Sequence, residues 1–135
     1  MFGKKIVVAL ISSVSFTLLV SLLAYTPKDE VPADNYHFGF MELFILYSLY
    51  ITPIYFTFGI GVSWTIDQYI EKYSEKFRMY VLIGGLIGFL MGVLLFLQET
   101  GSDNVLAHLF YFFIGVIASV TFWLIEYIYY RVFNK

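Results

Sequence analysis

The chain contains no cysteine. That excludes disulfides, thiolate metal sites, thiol nucleophiles and S-acyl anchors at one stroke. Charge is also scarce: 13% of residues are Asp, Glu, Lys or Arg, against roughly a quarter in soluble domains. Net charge is −2, so no basic surface points to a nucleic-acid partner. There is no His-Glu-x-x-His, no Gly-x-Ser-x-Gly elbow and no pair of aspartates deep in an apolar run. The sequence therefore offers no recognisable catalytic constellation, and the expectation is a non-enzyme without cofactor or metal.

Apolar residues make up 60% of the 135 positions and aromatics 21%. A chain this short buries a limited share of its surface in one soluble core. The surplus calls for an apolar solvent, the lipid bilayer. A spanning helix needs about 20 mostly apolar residues, and four segments qualify: 6–25, 40–66, 79–97 and 105–130. Lone apolar segments in lipid must satisfy their own backbone, and none alternates as a barrel strand does, so all four are expected to be helices. The first apolar run exceeds the 7–15 residues of a secretory signal, and Leu22 stands where a cleavage site needs a small residue. It is expected to be retained. The whole chain, 1–135, thus reads as one membrane domain of all-α class, a four-helix integral membrane bundle.

The connectors follow from composition. Residues 26–37, TPKDEVPADNYH, hold two prolines and acidic charge and read as an irregular loop. Residues 67–78, DQYIEKYSEKFR, put Tyr69, Ile70, Tyr73 and Phe77 on one face and read as a short interfacial helix continuing the second span. Residues 98–104, QETGSDN, read as a tight turn, with Gly101 at a helix end and Ser102, Asp103 or Asn104 as the next cap. Lys4, Lys5, Lys72, Lys76, Arg78, Arg131 and Lys135 fall on one side of this layout, and Lys28 alone on the other. The positive-inside rule then puts both termini in the cytoplasm, an N-in/C-in protein of the cell membrane.

Ionisable residues within spans are sites by default, so depth decides their reading. Glu42 lies eleven residues from Pro53, about 16 Å along a helix, which places it at the outer edge. His108 lies about 15 Å from the middle of the fourth span. Glu126 sits just inside the cytoplasmic edge, within expected reach of Arg131 or Arg78. His37 and Glu42 are five apart, the wrong interval for a helical metal pair. All four groups read as interfacial.

Pro53 should bend the second helix, with the neighbouring Thr52 hydroxyl compensating the lost hydrogen bond. Tyr47, Tyr50 and Tyr55 lie deeper than the other tyrosines and need partners inside the bundle. With Thr52 and Pro53 they form the candidate cavity or hinge. Small residues supply the packing faces: Ala9, Ser13, Thr17 and Ser21 in the first span, and Gly59 in the second. Gly84, Gly88 and Gly92 follow in the third, and Gly115 with Ser119 in the fourth. Partners expected from these faces are the lipid bilayer and, through helix contacts, a second copy or another membrane protein.

The Lys-Lys start, the serine-rich first span ISSVSFTLLVSLL and the Phe/Tyr/Ile-rich chain ending soon after its fourth helix give the layout a resemblance. It resembles the uncharacterised small four-span membrane proteins of low-GC Gram-positive bacteria. The resemblance implies a multi-pass cell-membrane protein and no specific activity. The leading functional expectation is an accessory, immunity or partner-binding membrane component. The second is a small oligomeric channel or exporter with the Pro53-kinked helix at its pathway.

Overall fold

A computed structural model describes residues 2–96 and 105–133. The turn expected at 98–104 and the C-terminal Lys135 lie outside the described residues. Among the described residues four long helices make up the fold: α1 (Phe2–Ala24), α2 (Phe40–Tyr69), α3 (Tyr73–Phe96) and α4 (Val105–Phe133). Each contains a stretch long and apolar enough to cross a membrane, and no strand occurs among the described residues. By composition this is a multi-pass membrane protein.

Its burial pattern is inverted relative to a soluble bundle, which supports the same conclusion. In α1 the buried positions are Val8, Ala9, Ser12, Ser13, Phe16, Thr17 and Ser21, together with Lys5. The exposed ones include Leu10, Val14, Leu18, Leu22 and Leu23. Water would drive those leucines inward at about 1.5–3 kcal/mol per side chain. Lipid exerts no such drive, so small residues that let backbones approach take the interior.

The helices form two hairpins. α1 packs on α2, α3 packs on α4 along their length, and α1 also reaches α4. The 26–37 connector has one short 3₁₀ turn at Lys28–Glu30 and is otherwise irregular. His37 Nε2 lies 3.0 Å from the Thr26 carbonyl and clasps the loop's two ends. The interfacial helix expected over 67–78 as a continuation of the second span is interrupted: α2 does run on to Tyr69, but a new helix, α3, begins at Tyr73. Ile70 takes extended dihedrals (φ −133°, ψ 118°) and breaks the helix there. The amphipathic pattern had merged the end of one helix with the start of the next.

Within α2 the α-helical ladder gives way to a π-helical stretch, Tyr55–Gly59, immediately after Pro53. Proline supplies no N–H and crowds the preceding turn, so the ladder must re-register. The Thr57 hydroxyl donates to the Pro53 carbonyl at 2.8 Å, giving that carbonyl a side-chain partner where the ladder changes register, and among the described residues no bond from Thr52 replaces the one the proline lacks. Glu42 has a local structural role at the other end of the helix. Its carboxylate accepts the Gly39 N–H at 3.1 Å, closing the helix start where negative charge is favoured.

Candidate functional site

Polar side chains from all four helices meet at the end of the bundle where α1 begins and α4 finishes. Lys5, in the opening turns of α1, points inward and is buried. Its ammonium donates to Ser63 Oγ, to Asp67 Oδ2 at 2.5 Å and to Glu126 Oε1 at 3.4 Å. The Ser63 hydroxyl donates in turn to Glu126 Oε1 at 2.7 Å, and the Tyr80 hydroxyl donates to Glu126 Oε2 at 2.9 Å. Lys76 Nζ completes the set on Asp67 Oδ1 at 2.5 Å. Two ammonium groups thus face two carboxylates, and the cluster carries no formal net charge. An isolated ion at this burial would be very costly, whereas a paired and fully hydrogen-bonded group is tolerated.

Helical phase explains how the cluster is assembled. Ser63 and Asp67 stand four apart on α2, as do Lys76 and Tyr80 on α3, so each pair projects from one face. An aromatic layer flanks the cluster: Phe77 meets Trp123 edge-on at 4.8 Å between ring centroids, and Tyr73 meets Tyr127 at 5.6 Å. The expected partners of Glu126, Arg131 and Arg78, are exposed and take no part in its hydrogen bonds. This is a correction: Glu126 faces the bundle axis, where Lys5 waits. The i, i+4 spacings of Ser63/Asp67 and Lys76/Tyr80 carry the signal in the sequence, and the amphipathic pattern of 67–78 obscures it.

Beside this cluster lies an apolar cleft of about 330 Å³ between the two hairpins. Phe16 and Val20 contribute from α1, Ile51, Ile54 and Phe58 from α2, and Tyr80, Ile83 and Ile87 from α3, facing Ile114 and Ala118 of α4. Tyr80 belongs to both features, lining the cleft while bonding Glu126. Tyr55 also lines it: its hydroxyl crosses to the Ala118 carbonyl at 2.8 Å, and its ring stands 5.9 Å from Phe16 and 6.2 Å from Phe122. Ser119 Oγ, a third polar group on the wall, donates to the Val116 carbonyl at 2.9 Å.

Of the candidate cavity residues, Tyr55 alone lines the cleft. Tyr50 and Pro53 are exposed on the outer face of α2, and Tyr47 and Thr52 are half-buried away from the opening. The three tyrosines therefore do not converge. Among the small residues, Ala9, Ser13, Thr17 and Ser21 are fully buried along α1. Gly84 and Gly88 face Gly115 and Ser119 across the α3–α4 seam, Gly92 lies against Tyr111, and Gly59 lies under the Phe122 ring. Glu42 and His37 serve the 26–37 connector and the helix start after it as described, and the His108 ring is 6.0 Å from Phe89. No three His, Asp or Glu side chains converge among the described residues.

Fold and site together define a four-helix, multi-pass membrane protein latched at one end by an ion network. No protein-family model matches the chain, and no curated protein or solved structure matches it.

Proposed function

We propose that this is a cell-membrane protein with both termini cytoplasmic, acting without catalysis as a partner-binding component such as an accessory or immunity factor. One observation carries the reading. The charges of Lys5, Asp67, Lys76 and Glu126 are neutralised by one another, and the Tyr55, Tyr80 and Ser119 hydroxyls are bonded within the bundle. Apart from the buried hydroxyls of Ser12, Thr17 and Ser21 and the Trp123 ring N–H, which find no partner among the described residues, the spans offer mainly apolar surface and shape, the means by which one membrane protein holds another. The orientation rests on seven of eight basic residues sharing one side.

Two measurements test the proposal. A photocrosslinker at the exposed Leu86, used in native membranes, is expected to capture one distinct protein. Adducts with copies of the chain alone would sink the partner-binding reading. A topology reporter fused after Lys135 is expected to score as cytoplasmic, and an outside score would overturn the orientation.

The π-helical stretch after Pro53 favours a second reading, a small oligomeric channel or exporter with α2 at its pathway, since such stretches recur at functional sites. Ion or lipophilic-cation flux through the purified protein in liposomes, reduced by Pro53→Ala, would select it.

A further inference from the structure

We propose that the cleft between the hairpins is a binding site for one acyl chain of a bilayer phospholipid. The inference goes beyond the partner-binding reading and does not depend on it.

Chemistry comes first. A ligand with donors or acceptors needs answering groups on the wall, because unpaired polar groups in an apolar site are costly. Four hydroxyl-bearing residues line the cleft: the Tyr55 hydroxyl is taken by the Ala118 carbonyl, the Tyr80 hydroxyl by Glu126 and Ser119 Oγ by the carbonyl of Val116, while Tyr111 lies beside Gly92. Phe16, Ile51, Ile83, Ile87, Ile114 and Ala118 supply hydrocarbon around them. The site is built for a ligand segment with no polar atoms. A column of water is a poor occupant by the same reasoning, since a buried water needs two to four polar partners.

Size then suits a lipid chain. The volume of about 330 Å³ holds roughly a dozen methylene groups at interior packing density. A helix about 10 Å across could seat only its side chains there. Along α3 the lining runs from Tyr80 to Met91, eleven residues or about 16 Å. That matches one leaflet, half of a hydrocarbon core of roughly 30 Å. The cleft is as long as one lipid chain is deep, and its walls sit on helices that cross the membrane. A headgroup has no place in it, because at the inner end Tyr80 is bonded to Glu126 and the neighbouring ions are already paired.

The test uses the full chain in liposomes containing phosphatidylcholine with a photoactivatable diazirine in one acyl chain. Adducts are expected to concentrate on Ile114 and Ala118, above the level on the exposed Leu82 and Phe113. Ile87→Trp, which fills the cleft from α3, should lower the cleft adducts roughly tenfold. Ala118→Leu, filling it from α4, should lower those on Ile114 similarly, so the result does not hang on one variant. Leu82→Trp, on the outer face of α3, should leave both unchanged. Adducts spread evenly over cleft and outer faces would mean ordinary surrounding lipid and would overturn the proposal. Labelling by a diazirine fatty acid but not by the phospholipid would overturn the assigned source. A crosslinker at Ile87 that captures protein instead of lipid would also defeat it, while leaving the partner-binding reading intact.

Discussion

Lys5→Met is expected to destabilise the folded bundle by about 3–5 kcal/mol, the cost of leaving a buried charge without its counter-ion. Asp67 keeps Lys76 after the substitution, whereas Glu126 keeps only the uncharged donors Ser63 and Tyr80. The damage should therefore be traceable to Glu126 in particular. Adding Glu126→Gln to Lys5→Met is expected to restore most of the loss, because the neutral amide can accept from Ser63 through its oxygen and donate through its NH2 to the Tyr80 hydroxyl, which turns to accept. Glu126→Gln alone should cost less than Lys5→Met, since Lys5 would still hold Asp67. Equilibrium unfolding in mixed micelles measures all three. If Lys5→Met unfolds within about 0.5 kcal/mol of the parent, the range of an ordinary surface change, the network is not a structural latch.

The second large effect is at the α3–α4 seam. Gly88→Val is expected to force these helices apart and cost at least the roughly 1–3 kcal/mol typical of overpacking. A Cβ at Gly88 would stand 3.0 Å from the Gly115 Cα and would press on the Tyr111 carbonyl. Backbone atoms cannot rotate out of the way as a side chain can. The contact is mutual, for a Cβ at Gly115 would come within 2.8 Å of the Gly88 Cα. Gly61→Val supplies the control, because nothing lies within 4 Å of a Cβ at that position. Nitroxide labels at Leu86 and Ile117 would read the separation of the helices directly. The chain's lack of cysteine lets those labels go where they are placed and nowhere else. Unchanged distances and stability in Gly88→Val would show that the seam is looser than described.

The fold was legible to the degree that lipid imposes it. Four apolar runs of sufficient length gave four helices, since hydropathy along the chain reports the solvent around it. The small-residue stripes were equally readable, because Gly84, Gly88, Gly115 and Ser119 lie at the four-residue spacing that defines a helix face. The pairing of Lys5 with Glu126 was not readable: 121 residues separate them, and helical periodicity carries no information across turns. Basic residues near an apolar run fit the positive-inside pattern equally well whether they face headgroups or the bundle axis. Lys5 and Lys4 looked alike for that reason, yet Lys5 is buried and Lys4 exposed. At Pro53 a disturbance was foreseeable, but not its form as a π-helical stretch.

The ion network has a consequence for the timing of synthesis. Lys5 leaves the ribosome 121 residues ahead of its partner Glu126, a delay on the order of 6–24 s at typical elongation rates. Through that interval the ammonium of Lys5 has only headgroups, water and, later, Ser63 and Asp67 to answer it. The opening turns of α1 cannot settle in their final place until α4 is delivered. A nascent chain halted before Glu126 lacks the closing residue of the network. It would expose an incomplete polar end to any quality-control protease that patrols the membrane surface, so degradation and completion compete for the same early helix.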